Sequence, residues 1–348
     1  MLAIYKKELK SYFHSFIGFL FIGVSLFFIG LYYFVYCLLY GYPYFSYVVN
    51  SVVILFMLTV PVLTMRIMAE ERRSKTDQLI LTAPITVGKI VMGKFLALLT
   101  ILAVPTAISA VYPLILTRFG SVPLGESYLA VLAFFLYGMV CIAIGILVSS
   151  LTESQVIAAV LGFVALFLGY MMSSLCSIIS ATGNVLTRIL SLYDLSTPFV
   201  MMLNGTLDMG SVVYFLSLTA LALFLTTQSI QKRRYSMSVK AFKTGAYSTG
   251  MIVAAVAVTI VLNMVVGQLP GTWRSLDLTG NKLYSLSDQT NEYLKGMNED
   301  VTIYVLVNED NEDTVLGQTL ERYKDMSQHI TVQYVDSIQN HSFHTQYT

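Results

Sequence analysis

Seven stretches of this chain are apolar from end to end, and its charged residues fall between them. They run over about residues 16–40, 47–65, 95–117, 128–150, 155–178, 211–230 and 248–267, and none contains an Asp, Glu, Lys, Arg or His. A helix of about 20 apolar residues crosses the ~30 Å hydrocarbon core of a bilayer, so each stretch predicts a membrane span. Residues 179–210 are moderately apolar but broken by Gly183, Arg188, Asp194 and Pro198. That pattern predicts interfacial or re-entrant helix, shielded by protein wherever it dips into the membrane. At the start of the chain, Leu2, Tyr5, Leu9, Tyr12 and Phe13 share one helical face, with Lys6, Lys7 and Lys10 opposite. Residues 1–15 therefore predict an amphipathic helix lying in the membrane interface.

After the seventh stretch the pattern changes. Val301–Leu306 and Ile330–Val335 are β-branched runs, and residues 313–328 between them carry Val315, Leu316, Leu320, Tyr323 and Met326 at helical spacing. Ser287 is an N-cap for a helix over 288–296. The expected fold is an all-α polytopic membrane protein followed by a partial α/β domain over residues 268–348.

Composition sharpens this picture. The chain is 56% hydrophobic and 12% charged, with a mean hydropathy of +0.70, where an ordinary soluble domain carries about a quarter charged residues. Residues 1–267 hold 16 Lys+Arg against 8 Asp+Glu, and residues 268–348 hold 5 against 12. With the N-terminus in the cytoplasm, 14 of the 21 basic residues fall on cytoplasmic segments. The positive-inside rule then predicts a cell-membrane protein with its N-terminus cytoplasmic and its C-terminal domain extracytoplasmic. Basic residues scattered over short loops, without a basic soluble face, exclude nucleic acid as a partner. Lys6, Lys7 and Lys10 precede an apolar run of about 25 residues, too long for a cleavable signal. Cys37, Cys141 and Cys176 lie in or beside apolar runs and form no metal or disulfide spacing.

Candidate chemistry is sparse. GKIVMGKF at residues 88–95 matches the phosphate-cradling G-x-x-x-x-G-K-[ST] loop except at its last position, where Phe95 replaces the Mg²⁺-ligating hydroxyl. No strand precedes it and a membrane helix follows, so Lys89 and Lys94 are expected to snorkel at the interface, with Gly93 allowing close helix packing. His341 and His344 stand without a further ligand cluster, and no metal or catalytic site is expected. Proton-coupled carriers and intramembrane enzymes commonly hold an ionisable group at membrane depth. The spans have none, which suits an energy source outside the membrane. Their hydroxyls and amide (Asn50, Ser51, Thr59 and Thr64 in the second span; Thr100, Thr106 and Ser109 in the third) either line a translocation path or make ordinary interhelical hydrogen bonds. Between those two spans, Glu70, Glu71, Arg72 and Arg73 open an amphipathic helix whose apolar side is Leu79, Ile80 and Leu81, and Pro84 ends it. The helix is either a solvated connector or a docking element for a cytoplasmic partner.

The run Ala69-Glu70-Glu71-Arg72-Arg73, then Lys75-Thr76-Asp77-Gln78-Leu79-Ile80-Leu81-Thr82-Ala83-Pro84, then Gly93-Lys94, resembles the coupling-helix segment of type-2 ABC exporter permeases. Lys75 stands where that family usually has glycine, and Gln78 where it has glutamate. The stretch 190–225 is similar to the end of the gliding-motility subfamily, and the likeness extends over about residues 1–235. It implies a six-span permease domain over 16–235, with a coupling helix at 70–83 and external helices at 179–205. The sites it implies are an ATPase-docking set, Glu70, Glu71, Arg72, Arg73, Lys75, Thr76, Asp77, Gln78 and Leu79, and a path that would use Asn50, Thr59, Thr64, Thr100 and Thr106. It also implies two copies of a cytoplasmic ABC ATPase that bind ATP and Mg²⁺, a second permease copy or homologue, and no cofactor in this chain. A basic linker (236–247) and the seventh span (248–267) are additional. Asp277-Leu278-Thr279 and Leu283-Tyr284-Ser285-Leu286-Ser287 resemble the opening of the gliding-motility auxiliary protein, implying a fusion whose outer domain is incomplete. The rival expectation is a non-transporting membrane scaffold or sensor that anchors that domain.

Overall fold

The computed structural model describes residues 1–76, 85–179, 184–234, 240–269, 275–283, 285–297, 299–306, 314–327 and 329–335. Among them, seven helices are long and apolar enough to span a membrane: Phe16–Leu39, Ser46–Arg73, Val87–Leu116, Leu124–Leu151, Gln155–Ile179, Met209–Lys232 and Thr249–Gly267. The elements that matter below are α1 (Leu2–Phe13), α2 (Phe16–Tyr32, continued by a π-helical turn to Leu39), α3 (Ser46–Thr64), α4 (Arg66–Arg73), α5 (Val87–Ser109), α6 (Tyr112–Leu116) and α7 (Leu124–Leu151). They are followed by α8 (Gln155–Ile179), α9 (Val185–Leu190), α10 (Ser196–Leu203), β1 (Thr206–Asp208), α11 (Met209–Arg234) and α12 (Lys240–Gly267).

The axis of the bundle is α7. It is apolar all round, as a helix enclosed by others must be, and 83% of its most apolar window is buried. Helices α3, α5, α8, α10 and α11 pack around it. The core they share includes Phe56 and Met57 of α3, Leu98 and Leu102 of α5, Phe134 and Tyr137 of α7, Phe199 of α10 and Phe215 of α11. Thus α10, expected as an interfacial or re-entrant piece, drives Phe199 and Met202 into the bundle. The Asp194 carboxylate accepts the amides of Ser196 and Thr197 at its entrance, at 2.9 and 3.3 Å. The seventh span packs on α11, and none of its apolar window is buried. Asn263 Nδ2 ties it to the bundle, donating to Ser217 Oγ of α11 at 2.8 Å.

The tail begins with β2 (Ser275–Asp277), which pairs antiparallel with β1, Thr206 opposite Asp277 and Asp208 opposite Ser275. Beyond it come α13 (Asp288–Lys295), β3 (Val301–Val305), α14 (Thr314–Met326) and β4 (Ile330–Tyr334). The strands β3 and β4 are parallel and in register from Val301 opposite Ile330 to Val305 opposite Tyr334, with α14 as the crossover that a parallel pair needs. Ser287 caps α13, its Oγ accepting from Thr290 N at 3.2 Å.

Candidate coupling site

At the end of the bundle that carries α1, the second span does not stop at the membrane. Helix α3 gives way to α4 across a single turn residue, Met65. The cause of the break is a side chain from the neighbouring helix. Ser149 Oγ of α7 donates to Met65 O at 3.0 Å and accepts from the amides of Met68 and Ala69 at 3.2 Å each. A hydroxyl thereby stands in the i→i−4 ladder between the Met65 carbonyl and the Ala69 amide, a recognised origin of helix kinks.

Beneath this break lies a buried ionic cluster. Lys94 of α5, 1% exposed, sends its Nζ to Glu8 Oε1 of α1 at 2.9 Å, to Glu71 Oε1 of α4 at 2.9 Å and to Ile67 O at 3.0 Å. All three ammonium protons therefore have acceptors, the condition under which a buried cation is tolerated. Lys7 approaches Glu71 from the outside at 3.5 Å. Sequence reasoning expected Lys94 to snorkel. The structure corrects this: with two carboxylates and a carbonyl around it, the ammonium needs no route to water, and α5 starts at Val87 rather than near 95. The signal was present in the sequence as Glu8, the lone acid among the three lysines of the first helix. Gly93 permits the approach: a Cβ there would stand 3.2–3.3 Å from Met1 O and Ile4 Cβ, tighter than side chains ordinarily pack.

The rest of α1 is fastened to the same region. Tyr12 OH donates to Leu63 O at 3.0 Å, and the Arg66 guanidinium lies 6.0 Å from the Tyr12 ring centroid. Burial first, and then the Glu8 carboxylate, push the Tyr12 phenol far above its ordinary range. Arg66 pairs with Glu70 at 2.6 Å and Arg72 with Glu153, just past α7, at 3.1 Å.

These contacts divide the expected docking residues into two groups. Glu71 and Arg72 bind other elements of the chain, while Glu70, half-exposed, pairs with Arg66 within α4. Arg73, Lys75 and Thr76 are exposed. The helix ends at Ser74, whose Oγ donates to Glu70 O at 2.9 Å, and Lys75 follows with φ +56°, the left-handed position that glycine usually fills after a helix. Asp77, Gln78 and Leu79 lie outside the described residues, as do Ile80, Leu81 and Pro84. The proposed path residues are not brought together. Thr59, Thr64, Thr100 and Thr106 each donate to a carbonyl four residues back, Leu55, Val60, Leu96 and Leu102. Asn50 lines a cavity at the opposite end of the bundle, and Thr100 an apolar groove beside α1. Among the described residues no cluster of three or more metal-ligating side chains exists.

A family of sequences described as ABC-2 family transporter protein matches residues 39–227, which contain α3 through most of α11 and with them the whole α4 platform. The chain belongs to this family. It is therefore a transmembrane subunit of an ABC transporter, multi-pass in the membrane, and membership implies association with an ABC ATPase. Residues 280–348 match a second family, Domain of unknown function (DUF7088), so the boundary between the two matches falls across α12 and β2. No curated protein matches this ABC-2 permease. In the permease, α4 lies between the second and third spans, and Lys94, Lys7, Ser149 and Glu153 fix it to α5, α1, α7 and the segment after α7.

Proposed function

We propose that the chain is the permease of an ABC exporter, with α1 and α4 on the cytoplasmic face and the tail outside. In this reading two permeases, identical or homologous, face each other above two ATPases that bind ATP and Mg²⁺. The gliding-motility-like motifs support a reading of the chain as a member of that subfamily fused with its auxiliary protein. Residues 70–83 form the docking segment, and the helices within 179–205 border the exit. The observation that carries the reading is the wiring of α4. A push on its exposed end reaches α1 through Glu71 and Lys7, α5 through Lys94 and α7 through Ser149. Arg73, Lys75 and Thr76 meet the ATPase, while Glu71 and Arg72 transmit.

The test is the pair of substitutions Arg73→Glu and Lys75→Glu, which reverse two exposed charges without touching the buried cluster. Co-purification of the ATPase and ATP-dependent transport should both fall at least tenfold while the melting temperature of the permease stays put. Unchanged association and transport would sink the docking assignment. Complete absence of a co-purifying ATPase from the unaltered protein would move the reading to a membrane scaffold.

A further inference from the structure

At the tail end of the bundle lies a cavity of about 340 Å³ that belongs to neither half of the chain alone. The permease contributes Tyr44, Tyr47 and Asn50 around the start of α3, Glu126 from the first turn of α7 and Asn204 after α10; the tail contributes Thr279. The tail is seated closely enough to form a wall. Leu278 N donates to Gly205 O at 2.9 Å, and a Cβ on Gly205, at φ +89°, would meet Thr279 Cγ2 at 2.6 Å and Glu126 Cγ at 3.3 Å.

The polar groups facing this space have capacity to spare. Glu126 accepts from Ser46 Oγ at 3.4 Å, and no cation stands within ion-pair distance of it among the described residues. The side-chain amides of Asn50 and Asn204 make no hydrogen bonds among the described residues. Tyr44 and Tyr47 stand with their rings 6.1 Å apart at 73°. A carboxylate recessed from water favours a cation, and tyrosine faces add attraction for one within about 6 Å. Two free amides suit a cation whose neighbouring atoms are oxygens. The volume lies in the range of small-molecule sites.

We propose that this cavity binds a primary ammonium group carried on a compact, oxygen-rich body. Glu126 takes the charge, Tyr44 and Tyr47 flank it, and Asn50 and Asn204 bond the adjoining oxygens. An amino sugar and the headgroup of phosphatidylethanolamine share that chemistry. The inference goes beyond the exporter reading, since it concerns binding at equilibrium and would hold equally for a scaffold.

The experiment uses the full chain in phosphatidylglycerol nanodiscs, titrated calorimetrically with glucosamine and with glucose near neutral pH. Saturable glucosamine binding, at least tenfold tighter than glucose, is expected. Glu126→Gln should remove that preference, and Asn50→Leu should weaken glucosamine binding several-fold. Glucosamine that binds no better than glucose, or does not saturate, overturns the proposal. That comparison needs no variant, so it stands even if Glu126→Gln fails to fold. A glucosamine affinity unchanged in a folded Glu126→Gln protein overturns it equally. Repeating the titration with phosphatidylethanolamine in the discs separates the sources: loss of glucosamine binding assigns the site to the lipid headgroup, and an undiminished isotherm to a soluble amine. Because neither ATPase nor transport is read, failure here leaves the coupling site untouched.

Discussion

Replacing Lys94 by methionine removes the cation that Glu8 and Glu71 both contact, while keeping the length of the side chain. Each carboxylate has an oxygen 2.9 Å from Nζ, so the two oxygens lie within roughly 6 Å of each other. At an effective dielectric constant of about 20, two like charges at that separation repel by roughly 3 kcal/mol. Deleting one member of a buried ion pair costs about 3–5 kcal/mol in general, and the two figures agree. The expected loss for K94M is therefore about 3–5 kcal/mol, most of the margin of an ordinary domain. Unfolding of the purified permease by sodium dodecyl sulfate in mixed micelles would read the loss. Transport-coupled ATP hydrolysis in proteoliposomes would read its effect on coupling. Adding Glu8→Gln should restore about 1 kcal/mol or more, since groups in direct contact are non-additive. A K94M loss below about 1 kcal/mol, the worth of an exposed pair, with no rescue by Glu8→Gln, would refute the account of the cluster.

Further outcomes follow from the same geometry. Ser149→Ala withdraws three hydrogen bonds from the α3–α4 junction; a loss of about 1–3 kcal/mol and a straighter junction, read by spin-label distances across Met65, are expected. Lys75→Gly relieves a left-handed φ at an exposed position, and a gain of about 1 kcal/mol should appear as a raised unfolding midpoint of the purified permease. Tyr12→Phe should cost about 0.5–1.5 kcal/mol near neutrality. Because burial raises the phenol above its ordinary value, the native protein should lose stability relative to this variant as pH rises above about 10. Gly205→Ala forces a side chain into φ +89° against Thr279, and limited proteolysis should show the tail released while the bundle stays protected.

The membrane helices were legible because an apolar run of span length has few other uses, and all seven recur in the structure with their ends moved by a few residues. The third span moved most, and for a physical reason. A lysine in a sequence reads as a boundary, yet Lys94 is a core residue once Glu8 and Glu71 are folded onto it. That neutralisation is a property of three distant segments and has no local signature. The kink at Met65 was hidden for the same reason, since its cause, Ser149, belongs to another helix. In the docking segment the residue types were readable but their directions were not. Glu71 and Arg73 are two positions apart on one short helix, and only packing shows that the first faces Lys94 and the second faces water. The hydroxyls of the second and third spans carried no decisive pattern, because a threonine bonded to its own helix and a threonine lining a passage have the same sequence.

The short sheet between β1 and β2 joins segments that leave the ribosome far apart in time. When Thr206–Asp208 has been made, its partner Ser275–Asp277 is still to come, with two complete helices between them. Until α12 has been inserted, the rim of the six-helix part displays three residues of raw strand edge and a left-handed Gly205 with nothing beside it. Assembly of this rim thus waits for the seventh helix, and quality control in the membrane has a natural checkpoint there: a chain whose seventh helix fails to insert leaves that edge exposed for recognition, however well its first six helices have packed.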